Sequence, residues 1–334
     1  MTLRPYLRPP TAHVPIDHYS AVHVATTRAR EMAVRCGMEA SWPDQAAAVA
    51  SELASNLDKH ATDGIVYLQP LPMGEGLEIL AVDRGPGMAE LQQCLTDGYT
   101  TTGTLGTGLG AVGRVATDFL IRTQVPEGTV ASARISAVGG TTAPGTGMVC
   151  LPADGEQECG DGCAVFETDG GVTAAVVDGL GHGEAAARAT RSALQVLRDT
   201  NDQPLPDIMR SMHRSLRHTR GAAVGLVRLV TGGVEFCGVG NIRLCLLSAH
   251  DVQRRLDGRP GVVGWNLPTP QVQSAPVEPG QILLAHSDGI ESRWSHDPSP
   301  FLLRLPAELL PAALAHRHRR SRDDATALSL TGLR

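Results

Sequence analysis

The sequence predicts an α+β protein with two domains. Its 334 residues exceed the length of one typical domain. A stretch rich in Gly, Thr and Pro lies near the middle, and the order of helices and strands differs on its two sides. We place the first domain at residues 1–138, a linker at 139–147 and the second domain at 148–334. The stretch 139–147 has no apolar period, so it is typical of a flexible linker or of a hairpin loop.

The composition excludes several classes of protein. With 42% hydrophobic and 19% charged residues, the chain is an ordinary globular protein. A formal net charge of -6 argues against a nucleic-acid partner, and the basic cluster at 316–320 fits a solvated helix end or charge balance beside a metal site. No run of 18 apolar residues and no signal-peptide core is found, so we expect no membrane contact and a cytoplasmic location. The seven cysteines lack a Cys-x-x-Cys pair, which favours reduced thiols over a zinc site or disulfides.

In the first domain, apolar periodicity and glycine or proline punctuation define the elements. A helix that starts near Pro43 is rich in alanine, and another helix follows a glycine-rich loop. The predicted elements are, in order, a strand and a helix within 14–36, a helix at 44–61, strands at 65–69 and 77–82, a helix at 111–119, and strands at 119–124 and 129–136.

In the second domain, short apolar strands with glycine turns enclose two helices. The predicted strands are 165–167, 172–177, 222–229, 234–238, 244–248, 281–285 and 325–330, and the helices are 184–199 and 206–217. Strands, two helices and more strands indicate a β-sandwich flanked by helices.

The first domain contains polar residues that suit a nucleotide. Glu52, Asn56 and His60 recur at steps of four and share one helix face. An amide oxygen there can ligate Mg²⁺, and a carboxylate can accept a proton. Asp83 ends a strand before Gly85 and Gly87, where a carboxylate can accept a hydrogen bond from an exocyclic amine. A solvated helix face and a tight turn remain the alternatives for these two segments taken alone.

A glycine-rich loop follows at residues 103–113 and begins a helix. Backbone N–H groups at such a helix N-terminus suit phosphate. The loop is neither a Walker A loop, because no Gly-Lys-Ser/Thr follows, nor a Rossmann fingerprint.

Taken together, the three segments resemble the GHKL ATPases, which share the Bergerat fold. The resemblance covers residues 14–136 and implies an α/β sandwich, namely a mixed sheet with helices on one face. It implies ATP and Mg²⁺, with Glu52 as the general base and a packing role for His60. The remaining implied ATP-binding residues are Asn56, which also ligates Mg²⁺, Asp83, Gly85, Gly87, Thr100, Gly106, Thr107, Gly108, Leu109 and Gly110. The short region before Glu52 favours the serine kinases of bacterial partner switching over histidine kinases.

The second domain places carboxylates at strand ends. Asp178 follows an apolar strand and precedes Gly179, Asp288 follows another, and Asp323 precedes the final strand. Oxygen ligands suit Mg²⁺ or Mn²⁺, and two such ions can activate water and hold a phosphoryl group. Each Asp-Gly alone is more typical of a turn.

In this order, these residues resemble the SpoIIE-type branch of the type 2C serine/threonine phosphatases, across residues 148–334. The resemblance implies an α-β-β-α sandwich with two Mn²⁺ or Mg²⁺. The implied ligands are Asp178, which bridges both ions, the Gly179 carbonyl, Asp288 and Asp323, and Asp161 through water. For His182 and His286, a role in loop packing is favoured. Arg188 and Arg243 are candidates for a substrate clamp by position only.

We therefore expect a bifunctional regulator that phosphorylates and dephosphorylates serine or threonine. The resemblances imply STAS-domain antagonist proteins, phosphorylated and unphosphorylated, as partners in stress or sigma-factor signalling. Two alternatives remain open: the first domain binds ATP without catalysis and regulates the phosphatase, or it binds a sigma factor as an anti-sigma protein.

Overall fold

The structure is a computed structural model that describes residues 10–91, 108–136 and 145–333. The chain forms two compact units, one within residues 11–136 and one within residues 145–333. The strand β6 begins at Thr146, inside the segment that the sequence predicts as a linker.

The first unit has a five-stranded sheet of order β1-β2-β3-β5-β4. Its described elements are β1 Ala12–Ile16, α1 Tyr19–Arg35, α2 Trp42–His60, β2 Gly64–Pro70, β3 Gly76–Val82, α3 Gly108–Val115, β4 Asp118–Gln124 and β5 Gly128–Ser136. The three described helices pack on one face of the sheet, where Val66, Leu68 and Ile79 are fully buried. Helix α3 starts and ends earlier than the sequence predicts. It ends before Thr117 because the Thr117 N–H donates to the carbonyl of Arg134, a residue of β5.

The expectation of a mixed sheet in the first unit is wrong for the described strands, because every pair is antiparallel. A single crossover helix would bring the next strand back parallel to the first. Here two helices, α1 and α2, separate β1 from β2, so the chain crosses the sheet twice and enters β2 where β1 ended. The pairs β2–β3 and β4–β5 are hairpins and are antiparallel by construction.

The second unit is an α-β-β-α sandwich, as the sequence predicts. Its sheets have the orders β13-β10-β9-β8-β7 and β12-β11-β14-β15-β6. The described elements are β6 Thr146–Leu151, β7 Asp161–Thr168, β8 Gly171–Gly179, α4 Glu184–Thr200, α5 Leu205–Ser215, β9 Ala222–Val230, β10 Gly233–Val239, β11 Arg243–Leu247, β12 Val252–Asp257, β13 Gln273–Pro276, β14 Ile282–His286, α6 Pro300–Leu303, α7 Leu310–His318 and β15 Ala325–Thr331. Helices α4 and α5 cover the first sheet, and α7 packs on the second at β6 and β15.

The elements that the sequence analysis missed are mainly edge strands and short helices. Strand β12, at one edge, exposes most of its side chains and so lacks the apolar run of a central strand. Strand β13, at an edge of the other sheet, has only four residues, of which Gln273 and Ser274 are polar. Helix α7 is buried along most of its length and therefore carries no amphipathic pattern.

Within the described ranges, no helix combines the length and the apolar character that a membrane crossing requires.

Candidate functional site

Four aspartates of the second unit gather where strands of the two sheets end. Asp161 begins β7 and Asp178 is the second-last residue of β8, and antiparallel pairing makes them direct register partners. Asp288 follows β14 and Asp323 precedes β15, which pair antiparallel, so the end of one strand lies beside the start of the other. The sandwich thereby brings together carboxylates that are up to 162 positions apart, from Asp161 to Asp323.

The charges of these residues act on Asp178. Burial raises the pKa of the Asp178 carboxyl to about 7, although a hydrogen bond from Asn241 lowers it. The carboxylates of Asp288, Asp323 and Asp324 add to the rise. A divalent cation would offset the repulsion among these carboxylates and stabilise their ionised forms at low dielectric.

Asp161 is the most buried of the four carboxylates. Burial, followed by the charge of Asp178, raises its pKa well above the usual range, while a hydrogen bond from Ser287 opposes the rise. The Ser287 Oγ donates to Asp161 Oδ2 over 2.6 Å and also accepts from the Thr326 N–H. The serine of the Ser287-Asp288-Gly289 segment therefore orients Asp161, a role that the sequence analysis did not anticipate.

The side chains of the four aspartates do not form a closed metal-binding arrangement. Among the described residues, no three Asp, Glu, His or Cys side chains meet with ligand geometry. The donor set is nevertheless all oxygen, which fits Mg²⁺ or Mn²⁺ and not a thiolate-preferring ion. The six cysteines in the described ranges are free thiols.

Asp324, beside Asp323, holds a loop. Its two carboxylate oxygens accept from the N–H groups of Ala153 and Gly160, each over 2.9 Å. A Cβ on Gly160 would lie 2.7 Å from Asp324 Oδ2, so only glycine fits between them. Asp324 thus fixes the segment that leads into Asp161.

Gly179 and Gly289 are positions of close approach. A Cβ on Gly179 would lie 2.5 Å from the Ala186 carbonyl oxygen in the first turn of α4, and one on Gly289 would lie 1.9 Å from the Asp324 carbonyl oxygen. In both Asp-Gly pairs, the glycine therefore allows the backbone of another element to approach closely. This approach fixes the position of the preceding aspartate.

The two histidines of the motifs pack against neighbouring groups. His182 is exposed and its Nδ1 lies 2.8 Å from Glu156 Oε1. His286 is buried, contacts the Trp294 ring edge to face, and its Nδ1 lies 2.8 Å from the Ser287 carbonyl oxygen. Burial lowers the pKa of His286 to about 4, so this imidazole is neutral at physiological pH.

Arg243, one of the two arginines suggested by position, begins β11 opposite His286, which precedes Ser287 and Asp288. Arg243 forms an ion pair with Asp257 over 3.0 Å, which occupies its guanidinium. Arg220, which the sequence analysis missed, lies beside the loop after Asp178: a Cβ on Gly181 would lie 2.8 Å from Arg220 Nη1. Only the fold shows this approach, since no motif surrounds Arg220.

In the first unit, α2 carries Glu52 and Asn56 on one face, and both are half-buried. Asn56 Nδ2 is buried and has no hydrogen-bond partner among the described residues. A buried amide group without a partner costs free energy unless a ligand satisfies it, so Asn56 is suited to contact a ligand.

Asp83 lies at the end of β3, beside Thr129. Its Oδ1 accepts from the N–H groups of Gly85, over 2.7 Å, and Thr129, over 3.2 Å. Gly87 has a φ of 73°, and a Cβ there would lie 2.7 Å from the Gln124 carbonyl oxygen. The Asp-x-Gly-x-Gly turn is therefore built against the β4–β5 hairpin.

The predicted phosphate loop is described only in part. Gly108, Leu109 and Gly110 form the first turn of α3, with Leu109 buried in the core of the unit. Thr100, Gly106 and Thr107 lie outside the described residues.

Comparison with known proteins places the second unit in a family. Residues 168–331 match the model of the family described as Stage II sporulation protein E (SpoIIE). The second unit is thus a phosphatase domain of the PP2C class, and within that class it belongs to the SpoIIE type.

Individual relatives are similar over parts of the chain. The serine/threonine-protein kinase RsbT of Bacillus subtilis (strain 168) is 36% identical over 81 residues, which are 24% of this chain and 61% of RsbT. The chain therefore spans less than two thirds of that curated relative. A solved structure described as "The bacterial stressosome: a modular system that has been adapted to control secondary messenger signaling" is 32% identical, with a TM-score of 0.50, covering 55% of this chain and 97% of its own. RsbX in complex with magnesium is 21% identical, with a TM-score of 0.49, covering 56% of this chain and 94% of its own.

Proposed function

We propose that the second unit hydrolyses phosphoserine or phosphothreonine in a protein substrate with the help of divalent cations. One observation carries this proposal: the sandwich gathers Asp161, Asp178, Asp288 and Asp323 at strand ends, where burial and mutual repulsion raise the pKa of three of them. The SpoIIE match over residues 168–331 supports the same conclusion.

In this proposal each residue has a distinct task. Asp178, Asp288 and Asp323 would hold two Mn²⁺ or Mg²⁺ together with the Gly179 carbonyl, and Asp161 would contribute through water. When bound, the cations supply a water-derived nucleophile and neutralise charge on the phosphoryl group. Asn241 holds Asp178 in orientation through its 2.9 Å hydrogen bond, and Ser287 does the same for Asp161.

For the first unit we propose Mg²⁺-dependent ATP binding and transfer of the γ-phosphate to serine or threonine of a partner protein. Asn56 would ligate Mg²⁺, Asp83 would contact the adenine and Glu52 would act as the base. The half-buried pair on α2 and the unpartnered Asn56 amide support this assignment. The similarity to RsbT and the GHKL-like order of the motifs support it as well.

The partner class is part of this proposal. We propose a STAS-domain antagonist protein that one unit phosphorylates and the other dephosphorylates, in cytoplasmic partner switching, and the similarity to the serine/threonine-protein kinase RsbT supports it. The competing function is a phosphatase whose first unit only binds ATP, or binds a sigma factor, without phosphotransfer.

Mass spectrometry of a candidate STAS protein tests both directions. Incubation with Asp178→Asn and ATP-Mg²⁺ should add about 80 Da at a serine or threonine, on the order of one phosphate per STAS protein. After ATP is removed, the wild type with Mn²⁺ should release this phosphate, and Asp178→Asn with Mn²⁺ should not. Removal by Asp178→Asn, or in the presence of excess chelator, would contradict the two-metal assignment.

A further inference from the structure

The second unit exposes few large apolar side chains, and two of them lie beside the candidate active site. Among the described residues of this unit, the large hydrophobic residues with high exposure are Leu180, Trp265 and Val272. Trp265 is 68% exposed, the highest fraction among such residues in the described ranges. In a chain with only 3% aromatic residues, an exposed tryptophan next to a catalytic loop indicates a binding role.

The indole of Trp265 is held in place although its ring faces solvent. Its Nε1 donates to the Thr219 carbonyl oxygen over 3.2 Å. The preceding Gly264 donates its N–H to His213 Nδ1 over 3.0 Å, and Val263 exchanges backbone hydrogen bonds with Ala222. Because the polar atom of the ring is already satisfied, the exposed remainder is a fixed apolar surface, and such pre-ordered aromatics lose little entropy on binding.

Arg220 and Leu180 complete this surface. Leu180 donates its N–H to the Gly221 carbonyl over 3.1 Å, and a Cβ on Gly221 would lie 3.5 Å from Cδ1 of Trp265. The guanidinium of Arg220 lies over Gly181, three residues after Asp178. Arg220 is exposed and forms no ion pair or hydrogen bond within the described part of the chain, so its five donors are available.

We propose that Leu180, Arg220 and Trp265 form a docking surface for a phosphorylated protein segment that has an apolar side chain next to the phosphoresidue. The inference rests on the proposed phosphatase function. Arg220 contacts the phosphate, since its fork of donors matches a phosphoryl group and its guanidinium lies beside Gly181, in the loop that follows Asp178. Trp265 and Leu180 pack against the apolar neighbour. Continuity with the aspartate site and the free positive charge favour this occupant over an uncharged one.

Two synthetic phosphoserine peptides test the surface, one with leucine and phenylalanine flanking the phosphoserine and one with glycine at those positions. With Mn²⁺ and the full chain, we expect kcat/KM to favour the apolar peptide by about tenfold, since a buried aromatic contact of this kind contributes on that scale. Trp265→Ala should reduce the preference to about twofold or less, and Trp265→Phe should keep most of it. Arg220→Ala should lower kcat/KM for both peptides to a similar degree, and Arg220→Lys should recover part of the loss.

Tyr19→Ala serves as the matched control, since Tyr19 is an exposed aromatic of the first unit at 59% exposure. It should leave the preference unchanged. Equal hydrolysis of both peptides by the wild type, or an undiminished preference in Trp265→Ala, would overturn the docking surface while leaving the phosphatase assignment intact. Failure of the wild type to hydrolyse either peptide and phenyl phosphate would instead overturn the proposed function, and this inference with it.

Discussion

Asn241 Nδ2 donates a 2.9 Å hydrogen bond to Asp178 Oδ2 across 63 positions of sequence. Asn241 lies in the turn between β10 and β11, whereas Asp178 is the second-last residue of β8. The bond favours the ionised carboxylate, and it is the main influence that opposes the rise in the pKa of Asp178 caused by burial. A residue outside all recognised motifs therefore controls the orientation and ionisation of the central aspartate.

Asn241→Ala should raise the Mn²⁺ concentration needed for half-maximal hydrolysis of p-nitrophenyl phosphate by about tenfold, because partners that orient metal ligands contribute on this scale. Metal titration of the full chain measures the change. Asn201→Ala is the control, since the Asn201 amide donates only to the Arg198 carbonyl at a helix end. An unchanged metal requirement in Asn241→Ala would show that the bond does not position Asp178.

The metal-free chain should lose stability as the pH rises. The pKa of Asp178 increases from 3.8 to about 7 on folding, so the folded state holds a proton that the unfolded state releases. This contribution is complete below about pH 4 and is lost as the pH passes about 7. Asp161 and Asp323 are shifted in the same direction.

Thermal unfolding in chelator, measured between about pH 5 and about pH 8, checks this pH dependence. Asp178→Asn should show a smaller decrease of Tm over that range, because an amide does not titrate. Added Mn²⁺ should restore the wild-type Tm at the upper end. A wild-type Tm that is higher at about pH 8 than at about pH 5 in chelator would contradict the assignment.

Glu52→Ala should abolish phosphotransfer from ATP while changing the Kd for ATP-Mg²⁺ by less than about threefold, because a general base acts on the proton and not on the nucleotide. Calorimetry and mass spectrometry of a STAS protein measure the two quantities separately. Glu31→Ala, an exposed glutamate on α1, is the matched control. If phosphotransfer survives in Glu52→Ala, then Glu52 is not the general base of the first unit.

The ion pair of Arg134 and Glu78, with an Nε to Oε1 distance of 2.7 Å, is buried on the face of the first sheet opposite its helices. Arg134→Met should destabilise the first unit by about 3 kcal/mol, because it leaves the Glu78 charge buried without its partner. Hydrogen exchange at β3 and β5 in the full chain reports this change for the first unit. The exposed pair Arg30 and Asp44 provides the control, and Arg30→Met should cost less than about 1 kcal/mol. Equal hydrogen-exchange protection in Arg134→Met and Arg30→Met would show that burial does not strengthen the pair of Arg134 and Glu78.

Local sequence patterns accounted for much of the second unit. Apolar runs before Asp178 and Asp288 identified β8 and β14, and glycines after them marked the turns. Strand direction in the first unit was not predictable in the same way. Whether a sheet is mixed depends on how the chain returns between strands, and the two-helix path from β1 to β2 made every described pair antiparallel.

The carboxylates near strand ends, and the glycines that follow them, could be predicted from the sequence, because these are local properties of neighbouring residues. The tertiary structure alone decided what orients them: Asn241 for Asp178, Ser287 for Asp161, and Asp324 for the loop before Asp161. It also brought Arg220 and Trp265 to the loop after Asp178. The physical reason is that hydrogen bonds and close backbone approaches join segments from different strands, and no periodicity along the chain records which strands become neighbours.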